Sequence, residues 1–209
     1  LLHQGGRIVN WWHRAHSTPL AVTVLTATML AVPLFGGSAV PIPSLLAGMS
    51  AGIPVALVLP AVPAALTLHA LNRVPRVYDT TAVRPVASYQ AGMLATTALI
   101  AVAIGLAATY VADSSMALAA ARNFVGYLGI GLIVQQLLGH LYGPLAVTLV
   151  PVLCALIGLA PGGRPYPWTW PLHQAPSVIA ATASLLLIAS GIAAASFFTP
   201  RGAAHRAST

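Results

Sequence analysis

Two carboxylates, seven imidazoles, nine guanidiniums, one thiol and no lysine make up the reactive side chains of this 209-residue sequence. Paired carboxylates could work as acid and base, or hold a metal. Asp79 and Asp113, however, are separated by a long apolar run, Tyr89 to Val111, and fall on opposite sides if that run crosses a membrane. No Glu stands ready as a base beside a metal, and no Gly-rich loop ends in a phosphate-binding Lys. The chain is therefore expected not to hydrolyse nucleotide by itself, and neither catalytic nor metal-ligating residues are assigned. His69 and His140 could ligate a haem through their ring nitrogens. A four-helix cytochrome would place two such pairs well inside the bilayer, whereas these two stand at the ends of apolar runs. Cys154, alone inside an apolar run, reads as a small buried hydrophobe. What remains is a chemistry of recognition. In "LHALNRVPRVYDTTAVRPVA", residues 68 to 87, Arg73, Arg76 and Arg84 share one segment with Asp79.

The elements around that segment are apolar. Hydrophobic residues make up 58% of the chain and charged residues 5%, against roughly 25% in soluble domains. The mean hydropathy is +0.87. An all-α integral membrane protein follows, because a helix of about 20 apolar residues spans the roughly 30 Å hydrocarbon core. Six spans are expected, at about Leu20 to Phe35, Leu45 to Leu68, Tyr89 to Val111, Phe124 to Leu138, Pro144 to Leu159 and Val178 to Phe198. Pro54, Pro60 and Pro63 kink the second, which should therefore face protein over part of its surface. The single arginines at run ends speak against nucleic acid and for topology. With the N-terminus inside, Arg7, Arg14, Arg73, Arg76, Arg84, Arg201 and Arg206 are cytoplasmic, and Arg122 and Arg164 are external. This bias places both termini of a multi-pass protein in the cytoplasm, and nine Arg with no Lys among abundant Ala, Gly, Pro and Val suggest a high-GC bacterial coding sequence and hence a bacterial cytoplasmic membrane.

Three regions then divide the sequence. Residues 1–17 form an interfacial amphipathic helix, with Trp11 and Trp12 on its apolar side and Arg7 and Arg14 opposite. Residues 18–200 form the six-helix transmembrane domain, and 201–209 a cytoplasmic tail. Leu1 in place of an initiating Met is read as a short missing leader, and no cleavable signal pattern is evident. The external segment "APGGRPYPWTWPLHQAPS" carries Trp168 and Trp170 among five prolines, which suits short capping segments at the headgroups rather than a long helix. Gln135 and Gln136 could hydrogen-bond between helices, and the glycines of "GYLGIG" permit close contact. In the basic segment, Leu71, Val74, Val77 and Tyr78 alternate with cations, as in a short helix lying along the membrane and offering charge to a soluble partner. The simpler alternative is that these arginines only hold topology and meet anionic lipid.

"RNFVGYLGIGLIVQQLLG", followed by "PLAVTLVPVLCALIGLAPG" and "PWTWPL", resembles the membrane subunits of actinobacterial ABC type-2 exporter permeases, many tied to export of peptides or natural products and to self-resistance (antibiotic resistance). The six-span plan with an interfacial N-terminal helix resembles them over essentially the whole chain, although the basic loop has no Glu. The resemblance implies that Arg73, Val74, Arg76, Val77, Tyr78 and Asp79 couple to a separate ATP-binding subunit, where ATP and magnesium would reside. This chain would itself hold no cofactor. A second permease, identical or homologous, would complete the path for a hydrophobic or amphipathic compound. A non-transporting docking or immunity subunit of another membrane complex is the alternative, with an intramembrane enzyme or cytochrome behind it.

Overall fold

Pro19 falls at the second position of helix α1 (Thr18–Ala31), where its missing N–H removes no hydrogen bond. The computed structural model describes residues 17–35, 37–45, 50–73 and 86–197. After α1 a 3-10 turn, Val32–Phe35, leads into an antiparallel hairpin, β1 (Ala39–Pro43) with β2 (Ser50–Pro54). The chain returns through α2 (Val55–Val58) and α3 (Ala61–Leu71). Then follow α4 (Val86–Val111), α5 (Ser115–Leu137), α6 (Tyr142–Ile157), a 3-10 turn at Trp170–Leu172, and α7 (Val178–Phe197).

The protein is mostly helical, and four stretches are long and apolar enough to cross a membrane: Thr18–Phe35, Tyr89–Val111, Ser115–Leu137 and Val178–Ala195. Val55–Leu71 and Tyr142–Ile157 are shorter apolar helical stretches. Membership in a membrane is thus supported by length and composition, the property that hydropathy reads most directly.

Burial separates the helices sharply. Of the α5 span, 78% is buried, against 17% for α7 and 22% for α4. Helix α5 is therefore the axis, packed against α7, α4, α6 and α3, while the outer helices turn apolar faces such as Leu99, Leu106, Leu185 and Leu186 outward. Apolar residues on all sides of a helix fit a lipid environment. Glycines let the axis approach its neighbours. A Cβ on Gly129 would stand 2.4 Å from the Leu187 backbone, and one on Gly191 would stand 2.8 Å from the Gly129 carbonyl oxygen. The close helix contacts expected of "GYLGIG" are thus made, with α7 at Gly129 and with Leu68 of α3 and Val147 of α6 at Gly131.

Two boundaries depart from the sequence reading. The apolar run Leu45 to Leu68 is not one helix: its first part belongs to the hairpin, Pro54 caps α2, and the helix breaks again at Leu59 and Pro60. Prolines withhold the N–H groups that a continuous helix would need. The α3 portion does face protein, with Pro63, Ala64, Thr67 and Leu68 buried. The fourth span starts earlier than expected, at Ser115, so Arg122 stands within α5 rather than in a connecting loop. The run Ala117, Ala119, Ala120 and Ala121 favours helix strongly enough to carry the guanidinium into the bundle. Asp113 turns the chain between α4 and α5 at φ 49°, a left-handed conformation that Asp tolerates.

Candidate functional site

The buried polar side chains of α5 serve the two ends of the bundle. Asn123 and Tyr127 are fully buried toward the middle of the helix, where the chain segments of one end reach in to meet them, and Gln135 is buried near its last turn. Polar groups on the most enclosed helix, facing protein, are the arrangement that a membrane interior demands.

At the first end the break after α2 leaves a carbonyl available. Asn123 Nδ2 donates to the Leu57 carbonyl at 3.2 Å and to the Pro171 carbonyl at 2.8 Å, and the Tyr127 hydroxyl donates to Leu57 at 3.2 Å. Arg122 donates to the carbonyls of His173 (2.9 Å), Gln174 (3.0 Å) and Trp170 (3.4 Å), and to Asn123 Oδ1. Among the described residues no carboxylate is bonded to Arg122. The Trp170 ring is 5.3 Å from that of Tyr127, and a Cβ on Gly126 would meet it at 2.3 Å, so the indole occupies the space this glycine leaves. Thr169, fully buried, donates to the carbonyls of Tyr166 and Gly158. Segment 158–177 is thereby fastened to α2 and α5. The two tryptophans expected to cap the bundle divide: Trp170 is buried as part of the clamp, and Trp168 is exposed. A cleft of about 540 Å³ opens here, lined among others by Leu57, Met116, His173, Gln174 and Ser177.

The second end is lighter. Asn72 terminates α3, and its Nδ2 donates to Gln135 Oε1 at 3.0 Å and to the His140 carbonyl at 3.3 Å. Arg73 donates through a terminal guanidinium nitrogen to Ser17 Oγ, beside the start of α1. Two consecutive residues thus touch α1, α5 and the α5–α6 turn. A smaller cleft of about 220 Å³ between α1 and α4 is lined by Thr18, Tyr89, Met93 and Thr97, among others.

Of the residues assigned to coupling, Arg73 is described, and Val74, Arg76, Val77, Tyr78 and Asp79 lie outside the described residues. The N-terminal anchor residues Arg7, Trp11, Trp12 and Arg14, and the tail 201–209, also lie outside them. His69 and His140 are both exposed. Among the described residues no group of three or more His, Cys, Asp or Glu side chains could hold a metal ion. Sequence reasoning noticed Gln135 as a potential interhelical bond but missed its partner Asn72, and placed Arg122 outside the bundle. The signal for both was available: an amide or guanidinium within a few residues of an apolar run must find partners where water is scarce.

No family model, curated protein or solved structure matches the chain, so the functional reading rests on its own residues and geometry.

Proposed function

We propose that the chain is the membrane-spanning permease subunit of an ATP-driven ABC transporter, exporting a hydrophobic or amphipathic compound such as a peptide or natural product. In this reading the four long helices, the broken α2–α3 segment and α6 make six crossings of a bacterial cytoplasmic membrane. Both termini and the basic segment face the cytoplasm, as the arginine distribution favours. A second permease completes the translocation path, and a separate subunit binds ATP and magnesium.

The observation that carries the proposal is the junction at Asn72 and Arg73. Asn72 and Arg73, where the basic segment of the sequence begins, are bonded to Ser17 at the start of α1, to α5 through Gln135, and to the α5–α6 turn through the His140 carbonyl. A subunit pushing on Arg73, Arg76 and Tyr78 would act on three parts of the bundle at once. Such a push does work only if the partner's contacts differ between two states of the bundle. The few polar side chains inside the bundle suit an apolar or amphipathic cargo better than an ion, whose hydration they could not replace.

Replacing both Arg73 and Arg76 with Glu tests the reading. ATP-driven transport in reconstituted vesicles should fall more than about tenfold, the consequence of losing roughly 1.4 kcal/mol of docking energy, while membrane insertion persists. Unchanged transport with normal insertion would remove the segment from the coupling role and favour a non-transporting docking subunit.

A further inference from the structure

Between Arg14 and Arg73 the sequence holds no charged residue, and midway through that stretch stands the β1–β2 hairpin. A two-stranded sheet has two open edges, each normally offering a row of unpaired N–H and C=O groups. The register shows how this hairpin limits them. Ser38 accepts from the Val55 N–H at 3.0 Å, which sets the alternation: Val40↔Ile53 and Ile42↔Ala51 are the hydrogen-bonded pairs. Ala39↔Pro54, Pro41↔Gly52 and Pro43↔Ser50 are then the pairs whose backbone groups point away from the partner strand. Proline fills three of these six outward positions, so half of the edge donors do not exist.

The side chains agree. Ile53 is buried toward the bundle, whereas Ala39, Pro41, Pro43 and Gly52, on the opposite face, are exposed and uncharged. The apolar exposure continues along the chain on both sides of β1, with Leu34 at 82% and Leu45 at 71%. The hairpin is held at the end of α6, where the Leu45 N–H donates to the Leu156 carbonyl at 2.8 Å. Trp168, half-exposed, stands in the segment that follows α6 at this same end, and exposed Trp marks a headgroup boundary.

We infer that the β1–β2 hairpin is a lipid-contacting wedge, seated with its proline face in the headgroup–acyl boundary of the leaflet at the Trp168 end. An ordinary hairpin would be excluded from that depth, because edge N–H groups without partners are costly once water is lost. Removing donors lowers that penalty, and the remaining edge carbonyls can accept from the water and headgroups present at this level. The apolar belt of α1 runs into the hairpin through Leu34 and Phe35, so lipid is the continuous occupant of both. The inference rests on membrane insertion and is independent of transport.

The test is nitroxide accessibility in reconstituted vesicles, with single labels in a Cys154→Ala background. Ala39→Cys, on the proline face, and Leu45→Cys report on the hairpin, Leu186→Cys marks the bilayer interior, and Arg164→Cys marks water. The ratio of oxygen to water-soluble nickel collisions at Ala39→Cys and Leu45→Cys should fall between the two references. A ratio equal to that of Arg164→Cys would put the hairpin in water and overturn the inference. Low accessibility to both reagents would mean that a protein surface covers it, and would overturn it equally. A water-exposed Leu186→Cys would reject membrane insertion itself, and this inference with it, whereas a failure of transport alone would leave it standing.

Discussion

The two ends of the bundle are tied to α5 differently. At the Arg122 end a guanidinium, a carboxamide and a phenol hold the Leu57 carbonyl and four carbonyls between Trp170 and Gln174, and the Trp170 indole packs against the phenol ring. At the Asn72 end one carboxamide and one guanidinium join three parts of the chain by three bonds. Each buried carbonyl at the first end has few alternative donors, so its bonds are expensive to break. The second end adjoins charged sequence, where water can replace what is lost. A permease of the proposed kind needs this asymmetry, with one end holding its shape and the other yielding to a partner.

Substitutions can break the comparison or sharpen it. The largest effect should come from the axis common to both ends. Gly129→Val would drive a side chain into the Leu187 and Ile188 backbone, which has no rotamer by which to retreat. A loss of about 3 kcal/mol is expected, seen as a large drop in thermal unfolding temperature in detergent. Asn123→Ala should cost about 2 kcal/mol, because Pro171 loses its carboxamide donor and Leu57 keeps only Tyr127. Arg122→Ala, at a half-buried site, should cost about 1.5 kcal/mol and make segment 158–177 more readily cleaved in limited proteolysis. Asn72→Ala should cost only about 0.6 kcal/mol of stability. If Asn72→Ala destabilised the protein as much as Asn123→Ala, the contrast between the ends would not hold.

Much of the architecture was legible because bilayer-spanning helices are written in hydropathy. Leu20 to Phe35, Tyr89 to Val111 and Val178 to Phe198 fall within a few residues of the long apolar stretches Thr18–Phe35, Tyr89–Val111 and Val178–Ala195, while Pro144 to Leu159 falls on α6, an apolar helix shorter than these. The hairpin was not legible. A short apolar run with prolines reads alike as a buried strand or a kinked helix, and periodicity does not separate the two. Helix α5 begins before the expected Phe124, since Arg122, which reads as the end of an apolar run, is satisfied inside the fold by carbonyls distant in sequence. The interior polar pair was half legible. Gln135 announced itself by standing in an apolar run, while Asn72 looked like part of the basic loop, and only the fold brings the two within 3.0 Å.

The central claim is that the Arg73 end receives an ATP-binding subunit, and purification from the native host tests it most directly. The tagged full-length chain would be extracted gently into nanodiscs, its companions identified by mass spectrometry and the ATP turnover of the complex measured. The account predicts a stoichiometric ATP-binding subunit with vanadate-sensitive turnover, lost when Arg73 and Arg76 are replaced by Glu. Recovery of the chain alone, or with a membrane complex lacking any ATPase, would contradict it.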